Sequence, residues 1–497
     1  MAFEQVIKGT LLPKVPLKTL FEEDTSSENS GAPIYRSPEY MPDSSQHIGA
    51  NEPYIKIGGV PLTSIELMTI DESGFIPTLT LTFIDGQGKF AGEAFPKTDL
   101  LLSLYLKVGN EKLKPVRCDF LIKSVKTMAP KYSGEKEGLG IGVTYTIRGE
   151  LYIPNIYKSI SKSYSDSTSK EALTSVATEL GLGFAENESK PTDKMTWINP
   201  NTSHLSFIQK VLNHSYQDDD SFFIGFIDKY YYLNYIEVNK QLKTGDFDST
   251  YVNHANPMGL GIKQTEKDNP ETNEINETFV ENFLTTSIEA RGDSNYIVEI
   301  SILSDQGDIL KNQGFSKKIY YYDHLKKIED EPSEKIIDFF MEPLKSQDRG
   351  TADFLIPLDE DLAKTSITKW MNIDYGNTHT EFNAARLLNS HNINELGKIK
   401  LKVRINNINF QVIRGSMIPL YITTQYGDKL MKSVGDLEDT PETKASLLEE
   451  IPDEQLSGLY YVLGAKYYYD SLDKNGLYTE LILARREWRP SAEQEEV

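Results

Sequence analysis

The chain has 497 residues, 39% apolar and 25% charged, enough for several cored domains, which excludes a wholly disordered protein. No run approaches the roughly 18 apolar residues of a spanning helix, and the N-terminus shows no apolar signal segment, so neither an integral helical membrane protein nor a secreted one is expected. Lys and Arg number 52 against 74 Asp and Glu, a net charge of −22 that repels nucleic acid at long range and argues against a sequence-reading DNA-binding protein.

Residues 1–50 stand apart as an arm. Positions 25–49 are dense in Ser, Pro, Asn and Gly, which cannot bury enough surface to fold alone. The arm is expected to lie extended across another subunit. Residues 51–154 turn to β: Leu79, Leu81 and Phe83 alternate with threonines, and strands are expected over 100–108, 120–128 and 143–152. Turns fall at Asp85-Gly86 and at the glycines of 138–142, so a small sandwich or barrel is predicted.

Residues 155–240 change character to a compact unit of two helices and two strands. Thr168-Ser169-Lys170-Glu171 spells a capping box, followed by Leu173, Val176 and Leu180 on one face and a stop at Gly181. Trp197 precedes a second helix with Leu205, Ile208, Leu212 and Ser215 on one stripe. Strands over 222–227 and 231–238 flank a turn at Asp228-Lys229. Residues 241–394 read as a mixed α/β middle domain: a polar loop over 263–276, strands over 296–303 and 315–322, a helix from near Ser333 burying Ile336, Ile337, Phe340, Met341 and Leu344, and another over 381–389. Residues 395–490 return to β, with strands over 399–405, 417–424, 459–469 and 477–488, before a short tail, 491–497.

The last β segment echoes the first. Leu104-Tyr105-Leu106 matches Leu420-Tyr421-Ile422, and Gly140 to Pro154 spans the same 14 positions as Gly476 to Pro490. That spacing sets Val143, Tyr145 and Ile147 against Thr479, Leu481 and Leu483, and Tyr152 against Trp488. Generic β alternation is the competing explanation. The second copy carries about 26 extra residues in an acidic insert, about 427–456, with Asp436, Glu438, Asp439, Glu442, Glu449, Glu450, Asp453 and Glu454. Burying unpaired charge at this density is costly, so the insert is expected to face solvent, the channel or a basic partner. Contact with a neighbouring subunit or tail protein is the favoured reading, with these eight acids as the candidate partner contacts. The fold class expected is α+β, mainly β: two related antiparallel β-barrel or sandwich modules flanking smaller α+β domains.

Nothing in the sequence nominates a catalytic residue, a cofactor or a metal, and no enzyme activity is expected. HExxH, HxH and GxSxG are absent among the seven histidines and their surroundings. His214 with Asp218, Asp219 and Asp220 is the nearest approach to a metal set, and it reads as a solvated helix-to-strand loop. Gly259-Leu260-Gly261 lacks a third glycine, and the glycines of 138–142 read as a hairpin turn. The single cysteine, Cys118, excludes an internal disulfide framework and reads as a small core residue.

Residues 170–238 carry a helix ending in Leu180-Gly181-Leu182, then Trp197, the helix NTSHLSFIQKVLNHSY, the strand FFIGFID from Phe222, and a return strand with Leu233-Asn234-Tyr235. That order, flanked by two related β modules, resembles the baseplate hub proteins of contractile phage tails and the hub part of contractile injection system spikes. The resemblance covers roughly 54–240 and 380–490, and departs in the arm, the middle and the acidic insert. It implies a structural homotrimer joining the hexameric tail tube, or a tube-adaptor protein, to a central spike, with baseplate wedge proteins as further partners. DNA would only pass through the channel, there would be no membrane anchor, and the protein would reside in the virion tail after assembly in the host cytoplasm. Three chains with two modules each would present six similar units, a way to mate mismatched symmetries. The alternatives are a hub of a bacterial injection or type VI secretion machine and a tail-associated cell-wall-degrading enzyme, for which only 241–395 offers room.

Overall fold

The computed structural model describes residues 52–62, 64–90, 95–106, 116–128, 142–187, 189–219, 221–244, 284–286, 296–303, 316–322, 333–338, 367–372, 378–379, 381–396, 399–406, 408, 412, 414–424, 451–452, 456, 458–472 and 476–485. The expected arm, the polar loop over 263–276, Gly259-Leu260-Gly261 and all eight acids of the insert lie outside these residues, as does most of the 138–142 glycine turn.

The first β module runs β1 (Pro53–Ile57), β2 (Val60–Pro61), β3 (Ile65–Asp71), β4 (Thr78–Asp85), β5 (Leu101–Leu106), β6 (Val116–Met128) and β7 (Val143–Leu151). Alternation does what the sequence implies: in β4 Leu79, Leu81 and Phe83 are buried, while the threonines between them are half-exposed. Phe83 stacks on Tyr145 of β7 with ring centroids 5.0 Å apart, and Cys118 is a buried core residue of β6.

The next unit holds β8 (Ser159–Ser167), α1 (Ser169–Glu179), β9 (Gly183–Glu186), β10 (Met195–Ser203), α2 (His204–Asn213), β11 (Phe223–Ile227), β12 (Tyr232–Glu237) and α3 (Val238–Thr244). The capping box forms: Glu171 N–H donates to Thr168 Oγ1, and Thr168 N–H donates to the Glu171 carboxylate at 2.8 Å. Gly181 takes a φ of +67° at the helix end, and Leu182 N–H closes back on Ala177 O at 2.8 Å. Helix α2 buries Phe207, Ile208, Val211 and Leu212. Gly225 of β11 makes that packing close, since a Cβ there would lie 2.4 Å from Leu212 Cδ1.

The expected two-strand unit is therefore richer than its sequence suggested. Strands β8 and β10 pair with each other, and β9 adds parallel to β12, the only parallel neighbour in its three-stranded sheet. Trp197 sits on β10, fully buried, with its indole N–H donating to Ser167 O at 3.0 Å.

Beyond it follow β13 (Leu284–Thr285), β14 (Ile297–Leu303), β15 (Ser316–Tyr322), β16 (Ser333–Asp338), β17 (Ile367–Asn372), α4 (Phe382–Leu396), β18 (Ile399–Asn406), β19 (Met417–Tyr421), β20 (Thr423–Thr424), β21 (Ile451–Pro452), β22 (Gly458–Asp470) and β23 (Leu477–Arg485). One expectation fails here: residues 333–338 form a strand, not the start of a helix. Ile336 and Ile337 are adjacent β-branched residues, stiff at χ1 and better suited to a ladder, and they pair antiparallel with Lys318 and Lys317 of β15. The expected helix over 381–389 does form, and it continues to Leu396.

The two β modules share one 13-stranded sheet, in the order β14-β18-β23-β22-β3-β4-β7-β6-β5-β1-β2, with β19 beside β22 and β13 beside β19. Strand β22 pairs antiparallel with β3 and welds the modules together. The second module also draws β14 from the stretch before residue 395. Among the described residues no helix is long and apolar enough to cross a membrane.

Candidate functional site

Strand neighbours in the two modules correspond one to one. The first runs β5-β6-β7-β4-β3 and the second β19-β22-β23-β18-β14. Both contain two β-bulges, and the bulges decide the residue equivalence. In β6 the bulge falls between Ile122 and Ser124, opposite Gly149 and Arg148 of β7. In β22 it falls between Val462 and Gly464, opposite Leu483 and Ile482 of β23. Following these registers across the next strand makes Phe83 and Thr82 the twins of Ile405 and Arg404. At those same two rungs a second bulge appears in each copy, between Ile65 and Leu67 in β3 and between Ile297 and Glu299 in β14. One set of equivalences thus accounts for both irregularities, which shared alternation alone would not produce, because bulges are position-specific features.

The same register makes Leu104 the twin of Leu420, as the tripeptide echo implies: Leu104 pairs with Cys118 and Leu420 with Gly458. Those spans are 14 and 38 positions, so the second copy's insertion is 24 residues. The matched Gly-to-Pro spacing, by contrast, is slipped by two residues. Val143, Tyr145 and Ile147 are the twins of Leu477, Thr479 and Leu481, one step along the same face from the sequence alignment. A slip of two keeps every side chain on its face, so hydrophobic pattern cannot detect it.

At the weld between the modules lies a buried polar cluster that the sequence reading missed. The turn between β11 and β12 carries Lys229, 1% exposed, into the molecule. Its ammonium lies 3.1 Å from Glu72 Oε2, just past β3, and donates to the Tyr467 hydroxyl of β22 at 2.8 Å. The ring of Tyr467 also faces it, with Nζ 4.5 Å from the centroid. Burial alone would lower the Lys229 pKa, but Glu72 beside it holds it above the usual lysine range. Burial and Glu72 together push the Tyr467 phenol well above its ordinary value. Both Lys229 and Tyr467 therefore stay protonated at neutral pH.

Further bonds fix the turn. Asp228 Oδ1 accepts from Tyr230 N–H at 2.9 Å and Tyr232 N–H at 3.0 Å, and the Tyr231 hydroxyl reaches β6, accepting from Asp119 N–H at 2.9 Å. From the second module the Arg414 guanidinium donates to Glu72 O at 2.8 Å and covers the Phe226 ring at 4.4 Å. First module, second module and α+β unit are thus tied at one point. With Lys229 and Tyr467 protonated and bonded to their neighbours, what the cluster supplies is cohesion. Strand β12 beyond the turn is buried at every position, but a charged residue at a turn ordinarily points to water, so the sequence carries no signal for Lys229.

His214 belongs to packing. Its ring stacks on Phe382 of α4, centroids 3.7 Å apart, and Nδ1–H donates to Phe382 O at 2.7 Å. Burial lowers its pKa to about 4. Asp219 accepts from the Tyr216 hydroxyl at 2.8 Å, Asp218 accepts from the Gln217 amide at 3.2 Å, and Asp220 lies outside the described residues. Among the described residues no three His, Cys, Asp or Glu side chains converge on a metal-sized site.

No protein-family model and no curated protein sequence matches the chain. Solved structures do. A tail protein from Neisseria meningitidis MC58 aligns over 87% of this chain and 96% of its own, at 11% identity and a TM-score of 0.45. The 43 kDa tail protein of prophage MuSo2 from Shewanella oneidensis aligns over 88% and 98%, at 8% identity and 0.46. The chain is similar to phage tail proteins. The Escherichia coli c3393 protein, a component of the type VI secretion system, aligns over 88% and 79%, at 9% identity and 0.38.

Proposed function

We propose that the chain is a non-enzymatic hub of a phage tail baseplate. In this reading it is a homotrimer that adapts a hexameric tail tube to a trimeric spike and encloses the channel for DNA and tape measure. The observation that carries the reading is the pair of β modules in matched register, bulge for bulge, within one chain. A ring of such chains offers twice as many equivalent docking units as it has subunits. The net charge of −22 suits a lumen that DNA traverses without adhering. Tube or tube-adaptor, spike and wedge proteins are the partners, and the virion tail is its place after assembly in the host cytoplasm. Native mass measurement together with the symmetry of the assembled particle by electron microscopy tests this. Three copies around a channel are expected; another copy number, or clearing of peptidoglycan by the purified protein, would overturn it.

A further inference from the structure

The weld between β22 and β3 has a twin that is not made among the described residues of one chain. Strand β22 uses one flank twice: β19 pairs along its start, and β3 pairs along its end through Lys466↔Asp71, Tyr467↔Ile70 and Tyr468↔Thr69. Strand β6 has the same layout, with half of it unpaired among the described residues. Strand β5 pairs along its start, up to Leu121, and no strand among the described residues takes the same flank at Lys126, Thr127 and Met128. These three are the twins of Lys466, Tyr467 and Tyr468, and all three are exposed, Met128 at 69%.

The other half of the missing weld is at the far end of the sheet. Strand β14 is the twin of β3, and among the described residues it ends the strand order of the sheet, with a single bridge from Thr285 to Tyr296 just before it. By the bulge register Ile302 is the twin of Ile70 and Leu303 of Asp71. Ile70 is fully buried in the weld, whereas Ile302 is 52% exposed, with Val298 and Leu303 exposed beside it. A seven-residue edge strand with three exposed aliphatics, no proline and one charge, Glu299, carries few of the devices that blunt an edge. The opposite end of the sheet is blunted, because β2 has only two residues.

We infer that β14 of one chain pairs antiparallel with the end of β6 of a second copy, in the register Lys126↔Leu303, Thr127↔Ile302 and Met128↔Ser301. The contact is head-to-tail, so each copy offers β6 to one neighbour and β14 to the next, and the assembly closes into a ring of welded modules. One difference from the internal weld is built in. The Lys466–Asp71 ion pair, 3.0 Å long, has no counterpart, because Leu303 replaces the aspartate. The seam between chains is therefore more apolar, with Met128, Ile302 and Leu303 at its centre. The number of copies rests on the trimeric hub reading; the seam itself rests on the register.

The test is a disulfide across the seam in the full chain. Thr127→Cys combined with Ile302→Cys, both exposed and so compatible with folding, is oxidised and run on a non-reducing gel beside each single variant. Thr127→Cys with Val298→Cys, four positions out of register, is the control. Covalent multimers from the in-register pair alone, ending at a closed ring, are expected. An oligomer by mass that fails to cross-link in register, or cross-links equally with Val298→Cys, overturns the seam and leaves the hub reading standing. A chain that is monomeric and uncross-linked overturns both, whereas a cross-linked ring of other than three copies supports the seam and overturns the trimer. As a second measure, Ile302→Ser is expected to weaken self-association about tenfold without lowering the melting temperature of the dilute chain; unchanged association would count against the seam.

Discussion

The two β modules have the same strand order and the same bulges but different surroundings, and the contrast separates what a strand needs from what it happens to touch. Strand β3 and its twin β14 hold equivalent rungs of equivalent sheets. In β3 the neighbouring module covers Ile70; in β14 no strand among the described residues does the same for Ile302, which is 52% exposed. The first strand is core because of a partner that arrives from the other end of the sequence. A residue's burial here is a property of the junction, not of the strand.

The severest way to break the comparison is to remove the lock at the weld, where Lys229 joins Glu72 of the first module to Tyr467 of the second. Lys229→Ala would leave Glu72 buried and unpaired, which should cost about 3–5 kcal/mol, read as a lowered urea midpoint. Lys229→Met together with Glu72→Gln should recover much of the loss, and an equal loss in the double variant would show that the ion pair is not the cause. Next come the twins themselves. Ile70→Ala should cost about 2–5 kcal/mol, as core truncations do, while Ile302→Ala should cost well under 1 kcal/mol in the dilute chain, as surface changes do. Equal effects would refute the difference in burial.

A subtler contrast sets the modules against the α+β unit, where His214 is held neutral with a pKa of about 4. Its unfolded value lies near 6.5, so the unfolded chain binds a proton that the folded chain refuses. Stability is full above pH 6.5 and declines as pH falls towards 4. His214→Gln should flatten that part of the pH profile, followed by thermal melting at each pH. The smallest expected effect on stability belongs to the second copy's insertion. Converting its eight acids, Asp436 to Glu454, to amides should leave melting nearly unchanged but weaken capture by tail partners in a pull-down; undiminished capture would remove the loop from the interface.

What the sequence made legible was whatever its periodicity could carry. Leu79, Leu81 and Phe83 declare β4, the capping box at Thr168 declares α1, and Leu104 finds its twin Leu420. Strands β8 and β10 were missed because neither alternates: β8 reads SISKSYSDS and buries one residue, and β10 contains an Asn-Pro step. The two-residue slip in aligning β7 with β23 was invisible because it keeps every side chain on its face. Lys229 was missed because a charged residue at a turn ordinarily points to water. Its burial follows from what packs around the turn, and that is decided by residues near positions 72 and 467.

The weld between β3 and β22 also sets a schedule. Ile70 and Tyr467 are 397 positions apart in the chain. At about 5–20 residues per second, synthesis takes on the order of 20–80 s to deliver the strand that covers β3. Throughout that interval a newly made first module displays an edge of the same kind as β14, while other nascent copies on the same message display theirs. The interior of the finished sheet is thus, for most of its own synthesis, an adhesive surface awaiting the right strand.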